Sequence, residues 1–350
     1  MWDVSKCDEC GDCLLMCQYV DYNREKAIRN IAELIDGREA QILWDCITCT
    51  ACNDYCTKGA NPFDLICDCQ EEKGVAVASQ SRSVAILKLI ESVPSEVIKG
   101  DPGKPVLCIA SEELFFPEGV FESQIFDGLT LAKGLDYFEY YFLLRFAQES
   151  ITRRNAQKVV DNLAILGADE IVTVFDDSYA GLCKAREYGI KLPFKLTHIV
   201  EYLLRYMRGR ENSITKLDKK IAFHIPCAMR HSLSFLPEID DMLDALFELI
   251  GVERIERRFD RKNALCCRGQ LLSKNPGKFA KLQDMNLTDA IICGADAMVS
   301  TCPGCLIYLT PLSKERGLPL ILTADLCRMA LGEKPFPSVP GPAKTSPDLK

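Results

Sequence analysis

Several features that would assign this sequence to other protein classes are missing. No apolar run approaches the roughly 18–20 residues of a membrane-spanning helix. The opening residues, MWDVSKC, lack the basic and then apolar regions of a secretory signal peptide. There is no basic excess either: the formal net charge is -8, which argues against a nucleic-acid-binding surface. We therefore expect a cytoplasmic protein that meets a membrane only through a partner.

Two common cofactor motifs are also missing. Neither a GxGxxG motif in a strand–helix context nor a GxxxxGK[ST] phosphate loop occurs. We therefore expect no flavin or nicotinamide site of the Rossmann type, so electrons must come from another protein. The 350 residues, 48 % of them apolar, are enough for two or three domains with buried cores.

Cysteine, by contrast, is abundant. The chain has 19 cysteines, an odd number that excludes complete pairing as disulfides within one chain. Disulfides are also disfavoured in a reducing compartment, where clustered cysteines indicate metal ligands or catalytic thiols.

The spacing C-x2-C-x2-C-x3-C occurs twice, as CDECGDCLLMC and CITCTACNDYC. This run is typical of ferredoxins with two [4Fe–4S] cubane clusters, in which the fourth cysteine binds the other cluster. We therefore assign Cys7, Cys10, Cys13 and Cys56 to cluster 1, and Cys46, Cys49, Cys52 and Cys17 to cluster 2. Zinc is the alternative, although zinc sites favour two separated cysteine pairs.

The stretch between the motifs, NREKAIRNIAELI, has apolar residues close to a period of 3.6 and predicts a helix. Gln18 and Thr57 stand where short ferredoxins have proline after the fourth cysteine. We therefore predict a helical two-cluster ferredoxin domain over residues 1–75. Cys67 and Cys69 lie just outside the motifs and are interpreted as buried or idle thiols.

After a linker at 76–103, the pattern becomes α/β. PVLCIA, EIVTVF, IAFHIP and AMVSTC predict short buried strands, and two helices are predicted to end at Gly167 and Gly251. LGADEIVTVFDDS aligns with CGADAMVSTCPGC, and KLPFKLTHIVEYLL aligns with GLPLILTADLCRMAL. Two copies of an α/β unit, at 104–217 and 218–332, are therefore expected, with mostly parallel sheets.

The second copy carries five cysteines, namely Cys227, Cys266, Cys267, Cys302 and Cys305. In the first copy Ser111 matches Cys227, while Phe175 and Ser178 match Cys302 and Cys305. The first copy is therefore predicted to be a scaffold without ligands. The five cysteines predict a third metal site, either an iron–sulfur cluster or a four-cysteine zinc site with one spare thiol.

The pattern C-x38-CC-RG-x32-CPGC resembles the cysteine-rich CCG domain of the heterodisulfide reductase family, with Arg268 inserted before Gly269. A ferredoxin module followed by two such repeats resembles the D-type subunit of that family, over about 330 of the 350 residues. The resemblance implies an α+β multidomain protein. It also implies that the five cysteines bind a non-cubane [4Fe–4S] cluster where a disulfide is cleaved.

The implied function is an iron–sulfur oxidoreductase subunit that passes single electrons through the two cubanes to the third cluster and reduces a disulfide. The disulfide of coenzyme M and coenzyme B, used in methanogenesis, is one example. The alternative is an electron-transfer subunit of a flavin-dependent lactate, glycolate or glycerol 3-phosphate dehydrogenase, or of a formate dehydrogenase. The expected partners are a flavoprotein, ferredoxin or cytochrome subunit in a hetero-oligomeric complex.

Other residues near the third site are weaker candidates. His224 and His231 flank Cys227 and could supply protons, or could be ordinary polar residues. Arg230, Arg268 and Lys262 could hold an anionic thiol substrate, or could be solvated surface charge. The segment 333–350, rich in proline, serine and glycine, is predicted to be a flexible tail.

Overall fold

The structure, a computed structural model, describes residues 1–75, 80–267, 272 and 274–337. The chain forms two compact units. The first comprises Met1–Leu114, Asp127–Ile199 and Cys227–Pro237; the second comprises Phe115–Phe126, Val200–Pro226 and the described residues from Glu238 onward. Within the described residues, no helix is both long and apolar enough to cross a membrane. The domain limits predicted from the sequence stay predictions.

Short helices carry both N-terminal cysteine motifs. They are α1 Asp12–Leu15, α2 Arg24–Ile35, α3 Ile42–Asp45, α4 Ala51–Tyr55 and α5 Pro62–Glu72. The predicted helix between the motifs is confirmed as α2. It begins where the Asn23 side chain accepts a hydrogen bond from the Lys26 amide, and it buries Ala27, Ile31 and Leu34 along one face.

A five-stranded sheet forms the rest of the first unit. Its strands are β1 Glu96–Ile98, β2 Val106–Ala110, β3 Thr130–Lys133, β4 Glu170–Thr173 and β5 Lys195–His198. The order is β1-β3-β2-β4-β5, and every pairing is parallel except the antiparallel pairing of β1 with β3. All five side chains of β2 are buried, as expected for a strand in the middle of an α/β sheet.

The second unit contains a parallel sheet of four strands, β6 Lys219–Phe223, β7 Val252–Arg254, β8 Ala297–Ser300 and β9 Leu320–Leu322. Their order, β7-β6-β8-β9, repeats the order β3-β2-β4-β5 of the first sheet. The two aligned sequence stretches fall on β4 and β8, and on β5 and β9. The sheet topology therefore confirms both the internal repeat and the predicted, mostly parallel sheets.

The remaining α-helices of the described chain are α6 Gln80–Glu91, α7 Glu149–Ile165, α8 Asp176–Glu187, α9 Ile199–Arg208, α10 Cys227–Ser232, α11 Ile239–Ile250, α12 Pro276–Ile292, α13 Pro303–Arg316 and α14 Thr323–Ala330. Helices α7 and α11 end at the predicted glycines. Gly167 and Gly251 have φ angles of 70° and 73°, in the left-handed region where a residue without Cβ is unstrained.

Two segments have more structure than the sequence indicated. The stretch predicted as a linker contains α6 and β1, and β1 is the edge strand of the first sheet. Glu333, at the start of the predicted tail, accepts a hydrogen bond from the Ser123 hydroxyl and pairs with Arg328. Residues 338–350 of that tail lie outside the described residues.

The core of the first unit contains a fully buried cation. The Lys184 side chain lies 3.2 Å from Asp64, 3.2 Å from Glu149 and 3.1 Å from Glu187. Burial by itself would lower the pKa of Lys184, but the three carboxylates outweigh it and raise that pKa. The ion pairs join α5, α7 and α8, so they connect the N-terminal helices to those that cover the sheet.

His231 lies beside this network. Its Nδ1 is 2.6 Å from the Tyr141 hydroxyl, and burial lowers the pKa of His231 to about 4 although Asp64 acts to raise it. A histidine that is neutral when folded but has a pKa near 6.5 when unfolded costs stability as the pH falls, because the unfolded chain then binds the extra proton.

We therefore expect the free energy of unfolding to fall by about 3 kcal/mol between about pH 6.5 and pH 4 because of this one group. Denaturant unfolding of wild type and His231→Gln, measured anaerobically across that range, isolates this contribution. The slope of stability against pH should be smaller in the variant. Parallel slopes for the two proteins would contradict the assignment.

Candidate metal centres

Cys7, Cys10, Cys13 and Cys56 line a single cavity, together with Trp2 and Ile31. Burial, together with the neighbouring sulfurs of Cys56, Cys10 and Cys7, raises the pKa of the Cys13 thiol to about 12. Cysteine sulfurs gathered around one cavity suit a bound cation, which stabilises thiolates. This is the set assigned to cluster 1 from the spacing.

The second set is equally crowded. Burial raises the pKa of Cys52 well above its ordinary value, and Cys46, Cys49 and Cys17 contribute in the same direction. Cys13 of the first set also contributes to that shift, so the two sets are neighbours. The structure thus places Cys17, the fourth cysteine of the first motif, near the second motif, and Cys56, the fourth cysteine of the second motif, near the first. A two-cluster ferredoxin requires this arrangement, because the fourth cysteine of each motif binds the other cluster.

The two motif loops share a backbone conformation. Glu9 and Gly11 have φ angles of 58° and 75°, and the matching residues Thr48 and Thr50 have 54° and 65°. In each loop the amide two residues after the first cysteine donates to its sulfur, over 3.4 Å from Glu9 to Cys7 and 3.2 Å from Thr48 to Cys46. Amides that face sulfur stabilise thiolate charge and tune the potential of a bound cluster.

Threonine at φ above zero is strained, and the side chains of the second loop compensate. The Thr48 hydroxyl donates to the Arg145 carbonyl over 3.0 Å, and the Thr50 hydroxyl donates to the Cys227 carbonyl over 2.5 Å. Arg145 in turn donates from a guanidinium nitrogen to the Cys227 sulfur over 3.2 Å and pairs with Asp177. The sequence had not singled out these three residues. Thr48 and Thr50 are non-cysteine positions within the second motif, and Arg145 lies almost a hundred residues further along the chain.

The second unit gathers another group of sulfurs. The sulfurs of Cys267 and Cys305 are 3.1 Å apart, and the Cys305 amide donates to the Cys302 sulfur over 3.3 Å. The pKa of Cys305 is raised well above its ordinary value by Cys267 and Cys302, and by burial. A ring nitrogen of buried His224 and the sulfurs of Cys267 and Cys305 all lie within 4.8 Å of one another.

The other two predicted ligands of the third site are less fully described. Cys266 is half-buried beside Cys267, while Arg268 and Gly269 lie outside the described residues. Cys227 is buried at the start of α10 and belongs to the first unit, whereas the other four cysteines belong to the second. The five-cysteine ligand set therefore stays a prediction.

The positions of the first copy that match these cysteines have other side chains. Ser111, Phe175 and Ser178 are buried, and the Ser178 hydroxyl donates to Glu112 over 2.9 Å. Burial and Glu139 raise the pKa of Glu112 well above its usual range, and burial raises that of Glu139 to about 7. A pair of buried carboxyl groups therefore lies beside these positions.

Several weaker candidates now have a structural explanation. Arg230 is buried and pairs with Asp54 over 3.0 Å, so it is not solvated surface charge. Lys262 is exposed, and Cys67 and Cys69 are buried on α5. Asp64, Glu187 and His231 lie close enough together to suit an ion, but the Lys184 ammonium already pairs with both carboxylates.

Comparison with known families identifies one region of the chain. The family described as CCG, a cysteine-rich domain, matches residues 221–310. Residues 221–310 form a CCG domain. This match lies within the second copy alone, so one CCG domain is detected where the sequence predicted two CCG-type repeats. CCG domains are typical of heterodisulfide reductase-like redox subunits, and with the possible metal sites this one suggests an iron–sulfur protein.

Among solved structures, a hypothetical protein from Helicobacter pylori has a similar fold, with a TM-score of 0.57 at 14 % sequence identity. The similarity covers 81 % of this chain but only 60 % of the Helicobacter pylori chain. Glutamate racemase RacE1 from Bacillus anthracis, with a TM-score of 0.31, 13 % identity and coverage of 65 % and 79 %, supports no conclusion. No curated protein sequence matches.

Gly11 provides a test of the first motif loop. A Cβ at this position would lie 2.7 Å from the backbone nitrogen of Ile28, so Gly11→Ala must displace the loop from α2. We expect the variant to lose about four irons per chain when cluster 1 fails to assemble. Iron and acid-labile sulfide analysis of anaerobically purified protein measures this loss.

Gly37→Ala is the matched control. Gly37 also has a positive φ, of 70°, but an added Cβ there would meet nothing within 4 Å. Both variants carry the same backbone strain, of about 1 kcal/mol. Equal iron content in the two variants would show that the contact with α2 does not shape the loop.

Proposed function

We propose that this protein is an iron–sulfur oxidoreductase subunit that delivers electrons from two N-terminal [4Fe–4S] clusters to a C-terminal site that reduces a small disulfide. Three groups of cysteines support it, namely the two crowded sets in the first unit and the group around Cys267 and Cys305 in the CCG domain. When bound, the clusters supply one-electron transfer, and the third supplies two-electron reduction of a sulfur–sulfur bond.

One contact carries the proposal. The Thr50 hydroxyl lies between Cys49, which we assign to cluster 2, and Cys227, which begins the CCG cysteine pattern. Its oxygen lies 2.6 Å from the Cys49 carbonyl and 2.5 Å from the Cys227 carbonyl, so its single proton is shared between these two acceptors. A continuous path of covalent and hydrogen bonds therefore runs from a proposed cluster ligand to a proposed ligand of the third site.

Arg145 favours the form of Cys227 that can bind a metal. Its guanidinium donates to the cysteine sulfur over 3.2 Å, and a hydrogen bond from a cation favours the thiolate that a metal requires. Asp177 pairs with the same guanidinium and fixes its direction. Arg145 and Asp177 both come from the first copy, which would thus support the third site although it has no ligand cysteines of its own.

The assignment of ligands follows from these contacts and from the resemblance. Cys7, Cys10, Cys13 and Cys56 would hold cluster 1, and Cys46, Cys49, Cys52 and Cys17 would hold cluster 2. Cys227, Cys266, Cys267, Cys302 and Cys305 would hold a non-cubane cluster. The electron donor is proposed to be a flavoprotein, ferredoxin or cytochrome subunit.

Metal content and thiol-dependent EPR test the proposal together. We expect about twelve irons per chain in anaerobically purified protein, and a new EPR signal when a thiol is added to the oxidised form. Reduced viologen should support turnover of a disulfide such as that of coenzyme M and coenzyme B. The thiol-induced signal should vanish in Cys266→Ala and persist in Cys7→Ala.

Other results would select a different function. About eight irons and one zinc per chain, without disulfide turnover, would instead indicate an electron-transfer subunit with a structural third site. Such a subunit would serve a flavin-dependent hydroxyacid dehydrogenase or a formate dehydrogenase. A protein that contained zinc at its metal sites and no iron would contradict both functions.

The Thr50 contact yields a separate prediction. Thr50→Val removes the hydroxyl but keeps the side-chain shape, so all clusters should assemble. Electron delivery to the third site should slow by about tenfold, because the path from Cys49 to Cys227 loses its hydrogen bond; that slowing corresponds to a barrier about 1.4 kcal/mol higher. Stopped-flow reduction by viologen, followed at the EPR signal of each cluster, measures the rates.

Thr48→Val is the control for this experiment. Thr48 is the other threonine of this loop with a positive φ, but its hydroxyl bonds to the Arg145 carbonyl instead of the Cys227 carbonyl. Only the Thr50 variant should slow delivery to the third site. Equal slowing in both would mean that the loop conformation, and not the bond to Cys227, controls the rate.

A further inference from the structure

His224 is held rigidly by the second sheet. It follows β6 directly, its amide donates to the Val299 carbonyl over 2.8 Å, and its own carbonyl accepts from the Ser300 hydroxyl over 2.9 Å. Its side chain is 1 % exposed. A ring nitrogen of His224 lies within 4.8 Å of the sulfurs of Cys267 and Cys305. Two roles suit such a histidine: a nitrogen ligand of the metal, or a hydrogen-bond donor to sulfur.

The neighbours of the ring decide between these roles. The side-chain amide nitrogen of Asn286 is 3.1 Å from His224 Nδ1. An amide can present either its nitrogen or its oxygen, but Arg257 donates to the Asn286 oxygen over 2.8 Å. Because a guanidinium can only donate, the Asn286 oxygen must face Arg257 and the NH2 group must face the histidine.

Arg257 is itself fixed in place. Its side chain is fully buried, donates to the Phe223 carbonyl over 2.9 Å, and lies 3.3 Å from the Asp289 carboxylate. Arg257 therefore determines which atom donates and which accepts in the hydrogen bonds that link it to Asn286 and His224. Asn286 donates to Nδ1, so Nδ1 accepts, and a neutral imidazole must then carry its proton on Nε2.

We propose that His224 is an Nε2–H hydrogen-bond donor to the sulfurs at Cys267 and Cys305, not a metal ligand, and that it raises the reduction potential of the third site. The inference rests on the proposed metal site. The donor stabilises negative charge on sulfur, and the reduced form of a cluster carries more of that charge. Arg257 and Asn286 are positioning residues that set the tautomer.

Two variants test the role by different routes. His224→Phe removes the donor. Asn286→Asp keeps the histidine but offers a carboxylate that accepts from Nδ1–H, which leaves Nε2 without its proton. In both we expect the ratio of reduced to oxidised third cluster, at the wild-type midpoint, to fall about tenfold, or about 59 mV for a one-electron couple. EPR-monitored redox titration of the full-length holoprotein measures this, and His224→Gln, which restores an N–H group, should recover part of the shift.

Spectroscopy of the bound cluster distinguishes a donor from a ligand. The chain has only three histidines, so 15N-histidine labelling with His198→Gln and His231→Gln as matched controls assigns any nitrogen signal. We expect an exchangeable-proton coupling in the third-cluster signal that His224→Phe alone removes. A nitrogen coupling of the size seen for coordinated imidazole would overturn the proposal, as would an unchanged potential in both His224→Phe and Asn286→Asp.

Metal analysis separates this inference from the proposed function. If the third site contains zinc, the proposed function fails, but X-ray absorption at the zinc edge still decides the role of His224. A shell of sulfur alone, with weaker zinc retention in His224→Phe than in His231→Gln, supports the donor role. Imidazole scattering that disappears in His224→Phe overturns it.

Discussion

Thiols that are forced together in a buried space oppose one another's ionisation, because each thiolate raises the pKa of the next and burial disfavours every charge. This constraint applies to Cys13, Cys52 and Cys305, each in a different group of sulfurs. A metal removes the conflict by supplying positive charge at the centre. Much of the surrounding structure serves to hold these sulfurs together, with strained loops, amides directed at sulfur and buried cations nearby.

The repeated α/β unit explains where the second unit places its sulfurs. In parallel sheets, loops at the carboxyl ends of strands are the usual places for ligands. Cys302 follows β8, and its partner Cys305 lies in the first turn of α13. In the first sheet Phe175 and Ser178 have the same positions after β4, and the Ser178 hydroxyl donates to Glu112, one of two buried carboxyl groups there. One topology thus supports a group of sulfurs that could hold a metal in one copy and a polar core in the other.

Buried polar groups also join parts of the chain that are far apart in sequence. Lys184 connects three helices through carboxylates, and Arg230 pairs with Asp54 beside the second cysteine motif. Arg257 orients Asn286, which in turn fixes the tautomer of His224. Such groups are costly to bury unless every partner is in place, so each network permits one arrangement of its elements.

The sequence by itself determined the local features. Cysteine spacing indicated which thiols belong together, apolar periodicity located α2 and the buried strands, and glycines marked the ends of α7 and α11. Self-similarity revealed the repeat. These signals are readable because each pattern lies within one short stretch of the chain, and the repeat appears because two such stretches resemble each other. Tertiary structure alone decided what depends on distant residues: the approach of Thr50 and Arg145 to Cys227, the burial of Arg230, and the orientation of Asn286 by Arg257. No pattern within one segment encodes such contacts, because their energy comes from partners that only folding brings together.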